Sequence, residues 1–140
     1  MDTQQISTQK TIVARFAKGE DLYNSLGQVA EKHQIKHASF QAIGAVSSCY
    51  LACYENRDYT WQKYAEAFEM VSCTGNVSLK EGKPFIHCHA VFSCPEGRIV
   101  AGHIGEGCII DPTAEVHFSI YNDEIARRYD EETGLWLLDI

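Results

Sequence analysis

The sequence predicts an α/β (α+β) domain in which a mostly antiparallel sheet packs around one central helix. Residues 20–33 are the one stretch with a clear helical period, in which Leu22, Leu26 and Ala30 recur at helical spacing. Most other apolar segments are short and rich in β-branched and aromatic residues, which is typical of strands. Because only one segment before the C-terminal part is suited to be a crossover helix, the strands must pair mostly antiparallel.

The strands are predicted from the N-terminus onward. A polar or disordered tail at residues 1–9 precedes a first strand over 11–16, and residues 10–140 are predicted to form a single domain. A short polar helix is expected over 123–129. The remaining predicted strands cover residues 38–46, 49–54, 59–64, 67–74, 76–79, 85–94, 98–104, 114–121 and 135–138.

Composition and charge argue for a folded domain and against a nucleic-acid-binding protein. Hydrophobic residues make up 45% of the chain and charged residues 22%, a balance that supports one packed core. Twelve Lys and Arg stand against nineteen Asp and Glu, which gives a net charge of −7. A surface of this charge repels a phosphate backbone, so nucleic acid is disfavoured as a partner.

The sequence also predicts where the protein is found. No run approaches the roughly 20 apolar residues that cross a bilayer, and residues 1–5 lack the pattern of a secretory signal. The six cysteines lie in strand-like apolar segments and are predicted to be buried reduced thiols. We therefore expect a cytoplasmic protein with no membrane partner.

Three histidines form the most informative pattern in the chain. His87 and His89 are two residues apart on a predicted strand, so their side chains point to the same face. Residues 95–97 (Pro-Glu-Gly) fit a three-residue hairpin loop, and counting outward from it places His103 directly opposite His89. Three imidazoles on one face, within about 7 Å of one another, can reach a single metal ion.

Imidazole ligation favours zinc, and another divalent transition metal (nickel, copper or iron) is also compatible with it. Gly102 and Gly105 flank His103 and are expected to leave room above the ion for water or a ligand. The alternative is that His87 and His89 are only polar residues on a half-buried strand. A register slip of one residue would send His103 to the other face and remove the site.

The other histidines show no such arrangement. The three remaining ones are interpreted as surface or helix-end residues: His33, His37 and His117. Residues 102–107 have the glycine content of a phosphate-binding loop, but strand-like residues follow where a helix should begin. We interpret this segment as a loop at the rim of the metal pocket.

Five segments of the chain occur in an order that resembles a known family, the plant and prokaryote conserved (PPC) domain, also called DUF296. The segments are 19–22 (GEDL), 42–46 (AIGAV), 68–78 (FEMVSCTGNVS), 84–89 (PFIHCH) and 101–104 (AGHI). The resemblance spans about residues 12–121 and departs from the family pattern at Ala101, where glycine is common. The family is known from plant AT-hook nuclear proteins and from stand-alone bacterial and archaeal relatives.

The resemblance implies an antiparallel sheet around a central helix, assembled as a homotrimer, with metal held in some members at the positions of His87, His89 and His103. It also carries a DNA-binding label that comes from the AT-hook, an Arg-Gly-Arg-Pro element absent from this chain. The densest basic spot here, Arg127-Arg128, is too small to offset the negative charge.

Two classes of function are favoured over a third, nucleic-acid binding, which the negative charge disfavours. The first is a metal-binding homotrimer that acts as a small-ligand-binding or regulatory module. The second is a zinc-dependent hydrolase or lyase, in which Glu69 or Glu115 takes a proton from metal-bound water. Either glutamate can equally be a structural hydrogen-bond partner, and no complete catalytic set is present, so the sequence favours binding over catalysis.

Overall fold

A computed structural model describes residues 3–140, which form nine β-strands and one α-helix. The elements are, in chain order, β1 (Thr8–Ala17), α1 (Leu22–Lys32), β2 (Ala38–Glu55), β3 (Asp58–Tyr64), β4 (Phe68–Lys80), β5 (Lys83–Ser93), β6 (Ile99–Ile104), β7 (Ile109–Tyr121), β8 (Arg127–Asp130) and β9 (Leu135–Leu138). Seven strands pair antiparallel in the order β1-β7-β2-β4-β5-β6, with β3 paired to β2. β8 and β9 form a separate hairpin. The predicted fold class is confirmed.

The long strand β2 closes part of the sheet on itself. Its first half pairs with β4 and β7, and its second half pairs with β3 and contacts β6 through Ala52 and His103. The register of β2 shifts at Gly44, whose φ is +154° and where a Cβ would lie 2.3 Å from the Thr113 carbonyl oxygen. Only glycine fits such a close approach with a positive φ. The closure brings β6 against the end of β2.

The core lies on the face of the sheet that α1 covers. Alternate residues of β7 point into it, so Val116 and Phe118 are buried whereas Glu115 and His117 are exposed, as the alternating sequence predicts. The helix begins at its N-cap Asp21, whose carboxylate accepts a hydrogen bond from the Asn24 backbone N–H. Its inward residues are fully buried at Leu22, Leu26 and Ala30.

Several predicted boundaries were wrong. The segments 38–46 and 49–54 are one strand, in which a bulge between Val46 and Ser48 lies at the predicted break. The segments 67–74 and 76–79 are also one strand, because Gly75 continues the ladder by pairing with Cys88. β1 already begins at Thr8, so pairing with β7 extends it into the predicted tail; residues 1–2 lie outside the described part of the chain.

The helix predicted over 123–129 is also wrong. Residues 127–130 instead form β8, because pairing with β9 satisfies the backbone groups of both segments. The predicted strand at 135–138 is confirmed as β9. The C-terminal segment is therefore a hairpin laid against the sheet, joined to it by a bridge between Leu79 and Ala126.

The cysteines are free thiols, as predicted. Five of them are buried, but Cys53 is exposed, so the prediction that all six are buried is wrong at this position. Cys53 lies on β2 where that strand pairs only with the edge strand β3, and no helix covers it. Within residues 3–140, no helix has the length and apolar character needed to cross a membrane.

Candidate metal centre

The β5–β6 hairpin has the register that the sequence predicts. Its loop is closed by two backbone hydrogen bonds, from Cys94 N–H to the Arg98 carbonyl at 3.0 Å and from Gly97 N–H to the Cys94 carbonyl at 2.9 Å. Gly97 adopts a φ of +81°, as expected for the glycine of a three-residue loop. His89 and His103 are therefore direct cross-strand partners.

The three predicted ligands meet at one point. The ring centroids lie 5.2 Å apart for His87 and His89, 5.3 Å for His87 and His103, and 5.4 Å for His89 and His103. One nitrogen from each ring lies within 4.8 Å of the others. Nitrogens at this spacing can surround an ion that they each bind at about 2 Å.

The chemistry of the rings fits a metal. Burial, followed by the neighbouring His87 and His89, lowers the pKa of His103 to about 4. Burial also lowers the pKa of His87, with smaller contributions from Arg127 and His89. Nδ1 of His103 is buried and has no hydrogen-bond partner among the described residues. A neutral imidazole with an unsatisfied buried nitrogen is suited to metal ligation.

Gly102 and Gly105 do not leave the space that the sequence suggested. A Cβ at Gly105 would lie 2.6 Å from the ring of Trp61, and one at Gly102 would lie 2.7 Å from the Ala52 carbonyl oxygen. These glycines therefore let β2 and β3 approach β6 closely, and the prediction of open space beside them is wrong. The ring of Tyr59 also packs 5.0 Å from that of His103.

Open space is found instead on the side of the C-terminal hairpin. A cavity of about 220 Å³ reaches His87 and His103. The other lining residues are Tyr59, Phe85, Arg127, Gly134, Leu135, Trp136 and Leu137. Apart from Tyr59 and Phe85, these residues belong to the C-terminal segment, which sequence reasoning did not connect with the site.

Arg127 and Arg128, which the sequence presents as one basic spot, have different environments. Arg127 is half-buried and donates hydrogen bonds to Ser78, Asn76 and the Trp136 carbonyl. Arg128 is exposed and pairs with Asp139 at 3.4 Å. Neighbouring side chains of a strand point to opposite faces, which separates Arg127 from Arg128. The prediction of a helix over 123–129 did not include this separation.

The two candidate bases lie together, but not with the histidines. Glu69 and Glu115 line one shallow pocket on the outer face of the sheet. Glu69 is the cross-strand partner of Ser93 on β5. Ser93 is about 13 Å along that strand from His89, at ~3.3 Å per residue. Glu115 lies on β7, which is three strand spacings, or about 14 Å, from β5.

The other histidines do not join the cluster. His33 is the C-cap of α1 and is exposed, and His117 is exposed on β7, so both fit the predicted surface or helix-end positions. His37 was predicted to be a surface or helix-end residue, and it is neither: it lies beyond the C-cap His33, is 8% exposed, and its ring packs 4.7 Å from that of Tyr121. The turn between α1 and β2 places it under the Tyr121 ring.

Comparison with models of protein families shows which family this chain resembles. The model of the Plants and Prokaryotes Conserved (PCC) domain matches residues 3–121. The chain belongs to the PCC domain family. The match ends before β8 and β9, so the hairpin that carries Arg127 and Trp136 lies beyond the part that the PCC model describes.

Solved structures of other proteins share the whole PCC fold. The metal-containing protein AF0104 from Archaeoglobus fulgidus is 29% identical, with a TM-score of 0.92 over 100% of each chain. A plant- and prokaryote-conserved (PPC) protein from Pyrococcus horikoshii is 28% identical, with a TM-score of 0.90 over 100% of this chain and 98% of that one.

A further neighbour is a protein from Ralstonia eutropha that is named provisionally as DNA-binding. It is 25% identical, with a TM-score of 0.84 over 91% of this chain and 90% of that chain. No curated protein matches the sequence. The comparisons therefore place the chain in the PCC family, while the function must be inferred from the site.

Proposed function

We propose that this PCC-domain protein binds one divalent transition metal ion, zinc in the first instance, through His87, His89 and His103, and that the site serves a small-ligand-binding or regulatory role. The observation that carries the proposal is the approach of one nitrogen from each ring to within 4.8 Å of the others. A bound ion with three protein ligands offers an open coordination position to a ligand atom. The metal-containing relative AF0104 supports the assignment.

Metal analysis of the purified full chain tests this proposal. We expect about one equivalent of zinc per chain, and a loss of most of it in His89→Ala, because two imidazoles hold a metal far less tightly than three. The matched control is His117→Ala, which removes an exposed histidine from another strand of the same sheet. Equal metal content in His89→Ala and the wild type would contradict the proposal.

We also propose a homotrimer as the functional assembly. The face of the sheet opposite α1 exposes apolar side chains, among them Val13 (65%), Ile43 (58%) and Val71 (54%). Ile43 and Val71 line one pocket on this face, and neighbouring exposed apolar side chains are typical of an interface. Light scattering should give a mass about three times 15.7 kDa. Ile43→Glu should reduce that mass, and a monomeric wild type would contradict the assembly.

The position of the two glutamates supports binding over catalysis. A zinc-dependent hydrolase or lyase would need a base near the metal-bound water. Glu69 and Glu115, the candidates for that role, line a pocket that the histidines do not share. Turnover of ester or phosphoester substrates that needs zinc and is lost in Glu69→Ala would reverse this preference.

The charge of the chain bears on whether it binds nucleic acid. The net charge of −7 and the lack of an AT-hook argue against duplex DNA as a partner. A salt-dependent gel shift at low ionic strength would contradict this.

Free cysteines fit a reducing compartment, so we propose the cytoplasm as the location.

A further inference from the structure

Arg127 is a cation next to the histidine cluster, and no acidic residue in the described part of the chain pairs with it. Asn76, to which it donates a hydrogen bond of 2.9 Å, is the cross-strand partner of His87. The guanidinium also lies 5.0 Å from the ring centroid of Phe85, which precedes His87 on the same face of β5. Arg127 and His87 therefore line the same cavity from two sides.

Arg127 combines partial burial with the lack of a carboxylate partner among the described residues. Within residues 3–140, no carboxylate oxygen lies within 4.0 Å of it, whereas Arg98 pairs with Glu66, and Arg128 pairs with Asp139. Burial lowers the pKa of Arg127, yet a guanidinium stays protonated in proteins. A half-buried positive charge without a counter-ion is costly, unless an anion binds beside it.

The hydrogen bonds of Arg127 leave donors for such an anion. Three of its five N–H groups are used, by Ser78 Oγ at 2.7 Å, the Trp136 carbonyl at 2.7 Å and Asn76 Oδ1 at 2.9 Å. One N–H on each terminal nitrogen has no partner among the described residues. These three neutral acceptors fix the guanidinium in place without neutralising it, which preorganises it for an oxyanion.

The remainder of the cavity is apolar. Aromatic and aliphatic side chains form most of its lining, and its volume of about 220 Å³ is below that of pockets for drug-sized ligands. A second cation, Lys80, lies 4.7 Å from the ring centroid of Trp136 and 5.5 Å from that of Phe85. The site therefore combines positive charge with a small apolar chamber.

We propose that the cavity binds a small organic carboxylate, whose carboxylate group is held by Arg127 beside the histidine cluster and whose apolar body packs against Phe85, Trp136 and Leu135. This inference rests on the proposed function, because the open coordination position at the histidines provides the second contact for the carboxylate. A carboxylate matches the planar donor pair of a guanidinium. The apolar body accounts for the lining that a bare inorganic anion would leave unused.

The test uses the full chain loaded with Co²⁺, whose visible spectrum reports on coordination, and isothermal titration calorimetry on the zinc-loaded form. The probes are benzoate, acetate, benzamide and inorganic phosphate. Benzoate should bind saturably and change the Co²⁺ spectrum, about tenfold or more tightly than acetate, because its ring is removed from water. Benzamide, which has the same size and no charge, should bind at least about tenfold more weakly than benzoate.

Matched variants connect the binding to Arg127. Arg127→Gln should weaken benzoate binding by about tenfold to a hundredfold, since it removes charge-assisted hydrogen bonds, while its zinc content stays that of the wild type. Arg128→Gln, a change of the exposed neighbour, should leave benzoate affinity unchanged. Arg127→Lys should be intermediate, because it keeps the charge but loses the planar donor pair.

The outcomes separate this inference from the proposed metal site. A wild type that binds no stoichiometric metal would contradict the proposed function. A wild type that binds metal, but binds benzamide as tightly as benzoate or responds only to phosphate, would overturn the carboxylate site alone. The comparison among wild-type probes decides the question even if Arg127→Gln fails to fold.

Discussion

His89 and His103 face each other across the β5–β6 ladder, with ring centroids 5.4 Å apart and ring planes at 88°. The two residues are 14 positions apart in the sequence, on either side of a three-residue loop, and the loop determines their pairing. His89 is exposed, whereas His103 is half-buried under the rings of Tyr59 and Trp61. An ion at this site would therefore have one exposed ligand, His89, and one half-buried ligand, His103.

Zinc should stabilise the fold, because the three imidazoles come together only in the folded chain. At a free zinc concentration of 100 times its dissociation constant, mass action contributes about 2.7 kcal/mol. For a domain of this size, that corresponds to a rise in Tm of roughly 10 °C. Differential scanning fluorimetry of chelated and zinc-loaded protein measures this shift.

The variant His103→Ala isolates the site in that measurement. It should abolish the zinc-dependent rise in Tm, while His33→Ala, which changes an exposed residue at the end of α1, should retain it. A zinc-dependent rise of the same size in His103→Ala would mean that the metal binds elsewhere on the chain.

The histidine cluster could be predicted from the sequence because its geometry is local. Two of the ligands are two residues apart on one strand, and the third follows after a tight loop whose length sets the register. Arg127 could not be predicted in the same way. It reaches the cavity through contacts of β8 with Asn76 and Ser78, about 50 residues away in the sequence, and no periodic pattern encodes such a contact.

The wrong predictions in the fold also come from tertiary contacts that the local sequence does not encode. Residues 123–129 have the composition of a short polar helix, but such a helix has little stability of its own, and pairing with β9 prevails. His37 is polar and follows a helix, yet the turn into β2 buries it. Tertiary contacts thus decided the elements whose local preference was weak, whereas the strongly periodic α1 and the alternating part of β7, residues 114–121, were predicted correctly. The first part of β7, residues 109–113, was not predicted.

Gly75 should be essential for the sheet around His87. A Cβ at this position would lie 2.4 Å from the His87 carbonyl oxygen and 2.6 Å from the Cys88 Cβ. Because backbone cannot yield as a side chain can, Gly75→Ala should lower the free energy of unfolding by about 2–3 kcal/mol and weaken metal binding. Urea denaturation and zinc titration measure the two effects.

Gly27→Ala is the matched control for that substitution. Gly27 lies inside α1, and an added Cβ meets nothing within 4 Å. Alanine there should raise the free energy of unfolding by about 0.5–1 kcal/mol, through its higher helix propensity. If Gly75→Ala behaved like Gly27→Ala, the close approach of β4 and β5 at His87 would be disproved.

Asp21 should join the helix to the loop that follows His103. Its carboxylate accepts hydrogen bonds from the backbone N–H of Asn24 at 3.0 Å and of Gly107 at 2.6 Å. Asp21→Ala should therefore cost about 2–3 kcal/mol, more than the ~1 kcal/mol typical of an N-cap alone. Asp21→Asn keeps one acceptor and should cost less. Wild-type stability of Asp21→Asn, measured by urea denaturation, would argue against the second bond, because a single acceptor would then be enough.

The buried thiols should make the protein less stable at alkaline pH. Burial, followed by the charge of Glu66, raises the pKa of Cys49 from 9.0 to about 11, and burial raises that of Cys108 to about 12. Between pH 9 and 11 the unfolded chain loses these protons, whereas the folded chain keeps them. The unfolded state then binds fewer protons, so the free energy of unfolding falls as pH rises. This contribution is complete below pH 9 and declines through the folded pKa values.

Urea denaturation from pH 7 to pH 10.5 tests the effect against two variants. Cys49→Ala removes one of the shifted thiols, so its stability should fall less steeply above pH 9 than that of the wild type. Cys53→Ala, which removes the exposed thiol, should follow the wild-type curve. Because other groups also titrate in this range, the difference between the two variants isolates the buried thiol. Parallel curves for Cys49→Ala and Cys53→Ala would show that burial of Cys49 does not couple its proton to folding.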